Sequence, residues 1–415
     1  MLNDRLFYCA PSRILAGNGV RRDLGPLLAR LGYRHGLIVT DRFFTERSPI
    51  VTEIQAILGE QGIGTTVSAE GEPDPSVDLC VRVQEQVTAG GDLERIDHVI
   101  AIGGGSNIDL AKVLTLTLKF GGAPEDFIGE GKIPGKPLPL IAIPTTSGTG
   151  SEITAGAILI KRDSDTKVAV LANDLRPVVA VVDPELTLSC PPRVTGDAGL
   201  DALTHAVESY LTMDSEHFDR QGEADPAYSG RNHMTMLFAA ESIRLCFRHL
   251  GTAYRDGADR EARTGMAYAS LYASLSYASA GLNAVHGLAY ALAGLTHATH
   301  GSTNAVFLPY VMEELLPIRQ RELAEIARMA GESGDDEAAL ARRAVVRTRE
   351  LVAEVGIPTT LAAFGVKADD LPALVRNGLN VTRLTKAFPI QPAGEAYARI
   401  VDDAFTGRLS GGTAA

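Results

Sequence analysis

Four side chains in the second half of the chain have the types and spacing to do chemistry. Asp201 and His205 stand four apart in GLDALTHAVESY, and His286 and His300 follow in VHGLAYALAGLTHATHG. Positions i and i+4 share one helix face, so this carboxylate and imidazole can point at one spot. The two later histidines lie within Thr264–Met312, a stretch with no Asp, Glu, Lys or Arg. Neutral imidazoles in an uncharged Ala/Gly/Ser-rich region indicate a buried cation site. One carboxylate and three imidazoles suit a divalent transition ion, Fe(II) first and Zn(II) second, and suit Mg or Ca poorly. An isolated Asp-x-x-x-His pair reads more readily as an intrahelical salt bridge. It is the two further histidines that favour metal.

A second group of residues fits phosphate and ribose. The run HVIAIGG leads through Gly103, Gly104, Gly105 and Ser106 into a helix beginning near Asn107. A strand, a glycine turn and a helix N-terminus gather free N–H groups and a positive dipole end around one point, where a pyrophosphate fits. The bare alternative is a tight strand-to-helix turn with no ligand, and G-x-G-x-x-G is absent. Asp41 follows the strand HGLIVT, where its carboxylate can accept from an adenosine ribose and would repel a 2′-phosphate. That favours NAD(H) over NADP(H), although an Asp at a strand end also serves as a helix cap. The loop PTTSGTGSE offers Thr145, Thr146, Ser147 and Thr149 as further hydroxyl donors, or simply a solvated turn.

The elements that position these groups fall into two halves. HGLIVT, HVIAIGG, LPLIAIPTT and VVAVVDP read as strands buried on both faces, separated by helical stretches VTEIQAILGEQG, VDLCVRVQEQVTAG and NIDLAKVLTLTLKF. This is the pattern of an α/β domain with a parallel sheet. After the Pro-containing segment Asp183–Arg193, the expected hinge, strand signals nearly vanish and helical periodicity takes over. The expected organisation is an α/β nucleotide-binding domain over 1–187, an all-α domain over 188–408 and a disordered tail over 409–415. Thr212–His233, polar and rich in turn formers, reads as a surface insertion between two helices.

Composition agrees with a two-domain globular protein. A length of 415 residues exceeds the usual limit of a single core, and 45% apolar with 22% charged residues is ordinary. A net charge of −12 provides no basic footprint for nucleic acid or anionic membranes. Asp4 and Arg5 interrupt any apolar signal core, which points to the cytosol, and no uninterrupted run of about 18 apolar residues suggests a membrane span. Cys9, Cys80, Cys190 and Cys246 form no C-x-x-C pair and read as buried thiols.

Taken together, GGGSNIDLAK, PTTSGTGSE, GLDALTHAVE and VHGLAYALAGLTHATHG resemble the signature stretches of the iron-containing alcohol dehydrogenase family. The resemblance runs from FYCAPSRILAGNGV to FPIQPAGEAYARIVDDAF, nearly the whole chain. It implies an α/β nucleotide-binding domain followed by a helical domain, as in dehydroquinate synthase, with dinucleotide and metal meeting between them. By position it implies Asp201, His205, His286 and His300 as metal ligands and Gly104, Gly105 and Ser106 as the pyrophosphate loop. It further implies Asp41 as selector of NAD and Thr145, Thr146 and Thr149 as the second nucleotide loop. Asp109, within GGGSNIDLAK, joins the cofactor candidates, and Lys167 matches a lysine often found near the cofactor. His297 matches no ligand.

Two departures bear on substrate. Many members carry H-x-x-x-H at the first late histidine, whereas HGLAY places Tyr290 second, next to the nicotinamide by resemblance. Tyr290 and Tyr277 are therefore the candidate catalytic and pocket-shaping side chains. DPAYSGRN, in the insertion, resembles a segment of hydroxyacid-oxoacid transhydrogenases. The implied activity is reversible, metal-dependent hydride transfer between a small alcohol and NAD(H). The alternatives are transhydrogenation with a retained cofactor and, less favoured, a dehydroquinate-synthase-like lyase. A lyase of that kind needs Lys, Arg and Asn around the metal. A homo-oligomer is expected, a homodimer by default.

Overall fold

The computed structural model describes residues 6–161 and 166–410. Asp4, Arg5 and the last five positions of the expected tail lie outside the described residues. Leu409 is buried, and the Ser410 N–H donates to Glu313 at 3.0 Å. The chain divides into two compact units, one holding Cys9–Ser189 with Asp225–Ala227, the other the start of the chain through Tyr8 and the rest of the residues after Ser189.

The α/β unit is built on strands β1 (Arg13–Ala16), β2 (His35–Val39), β3 (Gly64–Ser68), β4 (His98–Gly103), β5 (Gly129–Glu130), β6 (Leu140–Pro144), β7 (Gly156–Lys161), β8 (Thr166–Leu171) and β9 (Val179–Val182). Its helices are α1 (Leu24–Leu31), α2 (Arg42–Glu46), α3 (Ile50–Gly59), α4 (Val77–Ala89) and α5 (Gly105–Phe120). Six strands form one parallel sheet in the order β1-β9-β6-β4-β2-β3. Alternation along β4 explains its continuous apolar run. Val99 and Ala101 pack with α4 and α5, while Ile100 and Ile102 pack with α1 and α3. The four strands expected from sequence are all present. A smaller sheet, β5-β8-β7 with β7 and β8 antiparallel, was not anticipated.

The helical unit contains α6 (Pro192–Leu211), α7 (His233–Arg255), α8 (Arg260–Ala280), α9 (Ala284–Thr296), α10 (His300–Glu314), α11 (Leu316–Met329), α12 (Glu337–Glu354), α13 (Leu371–Leu379), α14 (Thr382–Thr385) and α15 (Gly394–Thr406). Among the described residues no strand follows β9. Helix α6 is buried from Gly199 to Leu211 and packs on α7, α8 and α10.

The segment Thr212–His233 departs from the expected surface insertion. Exposure is confined to Glu216, His217, Asp219 and the stretch from Gln221 to Asp225. Phe218, Ser229, Arg231 and Asn232 are buried. The cause is Arg231, whose guanidinium meets Asp214, Glu322 at 2.8 Å and the Tyr210 carbonyl at 2.8 Å. A buried cation with those partners ties the segment to α6 and α11. No helix among the described residues is long and apolar enough to cross a membrane.

Candidate active site

Helix α6 supplies a polar stripe on an otherwise apolar, buried helix. Asp197, Asp201, His205 and Glu208 recur at intervals of four, four and three, so one face carries all of them. Asp201 and His205 face His286 from α9, and the candidate ligand atoms of these three lie within 4.8 Å of one another. The Asp201 Oδ1 atom is 3.6 Å from His205 Nε2 and 3.7 Å from both His286 Nε2 and His300 Nε2. His205 Nε2 and His286 Nε2 are 3.1 Å apart. Two nitrogens each about 2.0–2.1 Å from a tetrahedral ion stand roughly 3.3 Å apart, so this donor set has the separations of ligands sharing one cation. His300, at the start of α10, is 31% exposed and forms the open edge of the cluster.

The surroundings hold these donors in place. Glu208 accepts the Nδ1–H of His286 and the backbone N–H groups of Asn283 (3.1 Å) and Val285 (2.8 Å). One buried carboxylate thereby caps α9 and turns His286 Nε2 toward Asp201. Asp197 accepts from Thr299 (2.8 Å) and Ser302 (2.6 Å) and so grips the start of α10. Gly301 makes that approach possible, since a Cβ there would fall 2.1 Å from the Asp197 carbonyl oxygen. The Asn304 amide nitrogen donates to Asp201 Oδ1 (2.8 Å) and lies 3.1 Å from both His286 and His300 Nε2, while its Oδ1 is buried without a partner among the described residues. Turning that amide presents an oxygen to the point where the donors converge. Carboxylate, imidazoles and an orphaned amide oxygen therefore fit a divalent cation.

Electrostatics follow the packing. Burial works to raise the Asp201 carboxyl, but the imidazoles of His205, His300 and His286 outweigh it and hold it well below the carboxylate range. Burial works to lower His286, and the carboxylates of Glu208 and Asp201 push it up to about 9 instead. The Tyr277 ring stacks on His205 at 4.1 Å, and the Tyr290 ring stacks on His300 at 5.7 Å. His297 lies apart, exposed, in left-handed conformation at the end of α9.

In the α/β unit the three loops singled out from sequence leave the C-terminal ends of adjacent strands. β2, β4 and β6 are neighbours in register, with Val39 opposite Ala101 and Gly103 opposite Pro144. Asp41, Gly104–Ser106 and Thr145–Thr149 are thus brought together. One Asp41 oxygen caps α2 by accepting from the Phe43 N–H at 2.9 Å, and the other accepts from Asn107 Nδ2 at 2.8 Å. Asp41 thus acts as a helix cap and ties α2 to α5. Gly103 is buried at φ 143, and Gly104, Gly105 and Ser106 are partly exposed. A Cβ on Gly105 would lie 2.8 Å from Thr149 Oγ1, so only glycine lets α5 start this close to the second loop. Thr145 is buried, with its N–H bonded to the Gly103 carbonyl, while Thr146 and Ser147 are partly exposed. Lys167 meets Asp74 at 2.9 Å, and the Asp74 N–H donates to Ser106, which places the lysine at the rim of the glycine turn.

Asp109 is engaged elsewhere. Its carboxylate accepts the Ile158 N–H at 2.9 Å and lies 4.0 Å from Lys112 Nζ, linking α5 to β7. Lys112 is fully buried on the carbonyls of Thr154 and Gly156. Sequence reasoning missed Asp197, Glu208 and Asn304 in the helical unit and Asn107 in the other. For the first two the signal was present, since they extend the Asp201–His205 face by one turn in each direction.

Comparisons with known proteins agree with this geometry. Residues 11–184 match the family "Iron-containing alcohol dehydrogenase", and 227–405 match "Fe-containing alcohol dehydrogenase family, C-terminal". Long-chain-alcohol dehydrogenase 1 of Geobacillus thermodenitrificans (strain NG80-2) is 36% identical over 399 residues, 95% of each chain. NAD-dependent methanol dehydrogenase of Bacillus methanolicus is 32% identical over 89% of this chain and 92% of its own. Among solved structures, 1,3-propanediol oxidoreductase superposes with a TM-score of 0.87 at 29% identity, covering 97% of this chain and 100% of its own. The two family matches fall on both units and define the class, a metal-type oxidoreductase acting on alcohols. The chain belongs to the iron-containing alcohol dehydrogenase family and is an alcohol oxidoreductase.

Proposed function

We propose that this chain catalyses reversible hydride transfer between a small alcohol and NAD(H), with a divalent ion held by Asp201, His205, His286 and His300. The observation that carries the reading is the convergence of one carboxylate oxygen and three imidazole Nε2 atoms at 3.6–3.7 Å. Bound there, Fe(II) or Zn(II) would act as a Lewis acid on the alcohol oxygen, and the dinucleotide would accept the hydride. Glu208 keeps the Nδ1 proton on His286 and so leaves its Nε2 free to ligate. Tyr277 and Tyr290 cover two ligand imidazoles, which fixes their planes and limits water. On the dinucleotide side, Gly104, Gly105, Ser106 and the hydroxyls of Thr145, Thr146, Ser147 and Thr149 would receive phosphate and ribose. Asp41 would favour NAD(H) over NADP(H), and Lys167 would stand near the cofactor. Asp109 would support this loop through α5. An acidic chain whose four cysteines are all free suits the cytoplasm, and we assign it there as a homo-oligomer, a homodimer by default.

The test is an anaerobic assay of protein stripped of metal and reloaded with Fe(II) or Zn(II), following NADH formed from primary and small secondary alcohols. Free NADH is expected to accumulate with metal-loaded enzyme and to be lost in His286→Ala and His300→Ala. Full turnover by either variant would overturn the ligand assignment. Activity only when a hydroxyacid and an oxoacid are supplied together would favour a hydride shuttle with retained cofactor.

A further inference from the structure

We propose that Asp197 is a positioning residue that latches the α9–α10 corner shut, and that the metal centre takes up and releases its ion when this corner opens. The inference rests on the metal-binding reading above and deepens it by naming what regulates access to the site.

The four candidate donors are not equally sheltered. The side chains of Asp201, His205 and His286 are 3%, 4% and 1% exposed, whereas that of His300 is 31% exposed. Asp201 and His205 belong to the buried stretch of α6, and His286 lies near the start of α9, where Glu208 holds it. Moving any of these three disturbs the core of the helical unit. His300 instead opens α10 just after the turn that ends α9. Gly294, Leu295, His297 and Thr299 in this corner are exposed, and His297 leaves α9 in left-handed conformation at φ 54. Segments with few buried contacts open at the lowest free energy. The easiest path for an ion is therefore the one on which His300 swings out with the corner.

A single carboxylate restrains that movement. Thr299 occupies the N-cap position of α10, yet its hydroxyl makes no capping bond to the first turn. It donates instead to Asp197 Oδ2 at 2.8 Å, and the Ser302 hydroxyl donates to Asp197 Oδ1 at 2.6 Å. Both oxygens of this α6 side chain are thus engaged by the first turn of α10, at the positive end of its dipole. Gly301 lets the two backbones meet, since a Cβ there would fall 2.8 Å from Asp197 Cα. Among the described residues the corner's other hydroxyl, that of Thr296, bonds only locally, donating to the Leu292 carbonyl at 2.9 Å and accepting the Ala298 N–H at 3.3 Å. The latch bonds form in the closed state whether or not an ion is bound. They therefore raise the barrier to uptake and to release alike and leave the affinity nearly unaltered. A support such as Glu208 differs, because its loss weakens binding itself.

Removing the two hydroxyls tests this while every charge and every candidate donor stays in place. Stopped-flow mixing with a chromogenic chelator times Zn(II) uptake by the stripped protein and Zn(II) loss from the loaded one. In Thr299→Val combined with Ser302→Ala both rates should rise on the order of 10- to 100-fold, as charge-assisted bonds disappear from the closed state. The Kd should move by less than about threefold, because open and closed states are biased equally with and without the ion. Thr299→Val alone, at an exposed position, should raise both rates by a smaller common factor, and Thr299→Ser, which keeps the hydroxyl, should match wild type. Faster loss with unchanged uptake would make Asp197 an ordinary support and refute the latch, as would rates equal to those of wild type. Hydrogen exchange over residues 294–304 of the stripped protein keeps the two readings apart. Faster exchange in the double variant with no Zn(II) uptake by wild type would refute the metal-binding reading while the latch stands. Equal exchange in both proteins would refute the latch even where Zn(II) binds.

Discussion

Replacing Glu208 by Gln changes one atom's chemistry at the point where α6, α9 and the metal donors meet. The carboxylate accepts three hydrogens, from His286 Nδ1, Asn283 N–H at 3.1 Å and Val285 N–H at 2.8 Å. A glutamine amide offers one accepting oxygen. If that oxygen keeps the backbone pair, the NH2 faces His286 Nδ1 and drives its proton to Nε2, the atom needed for the cation. If the amide turns over, the N–H groups that cap α9 lose their acceptor. Loss of such a supporting partner typically costs 10- to 100-fold in metal affinity, about 1.4–2.7 kcal/mol. One buried donor left unpaired costs a further ~1–3 kcal/mol of stability. Competition against a chelator of known affinity, with Zn(II), measures the first quantity, and denaturant unfolding of the stripped protein measures the second. Affinity within about twofold of wild type in Glu208→Gln, with His286→Ala losing the ion, would refute the argument that Glu208 sets the imidazole's tautomer.

Three other expectations follow from the packing and charge. Gly301→Ala should lower both stability and metal affinity, because its Cβ would strike the Asp197 backbone at 2.1 Å and push α10 with His300 away from α6; chelator competition and thermal melting check it. Asp41→Ser retains a side chain able to cap α2 but removes the negative charge, so the NADP-to-NAD ratio of kcat/KM should rise by roughly 10-fold or more, ~1.4 kcal/mol. Burial pushes the Glu152 carboxyl up from 4.5 to about 7 despite attraction to Lys112. Between those pH values the folded protein holds a proton that the unfolded chain has released. Stability therefore declines as pH rises through that window, by roughly 3 kcal/mol, and Glu152→Gln should flatten the decline in urea midpoints measured against pH.

The parallel sheet was legible because strands buried on both faces leave continuous apolar runs, and the glycine turn after β4 marks a loop at their C-terminal ends. β3, with the polar sequence GTTVS, lacks that signature because it is an edge strand with one partner, β2. The β7–β8 pair escaped because its alternation is weak, with Thr166 exposed and Lys167 half-buried. In the helical unit the Asp201–His205 spacing and the uncharged surroundings of His286 and His300 marked the donors. Their supports were less visible. Asp197 and Glu208 share the face of Asp201, but an Asp or Glu on a helix ordinarily reads as solvated until its burial is known. The segment around Arg231 was misjudged because its turn-rich composition hides a carboxylate supplied by another helix, Glu322.

The rings laid against His205 and His300 have an experimental use. The chain has eleven tyrosines and no tryptophan, so its ultraviolet emission comes from phenols alone. Tyr277 and Tyr290 are within one imidazole of the candidate cation. Loading an open-shell ion should dim those two emitters while a closed-shell ion leaves them bright, giving an optical gauge of which metal the protein has taken up before any substrate is added.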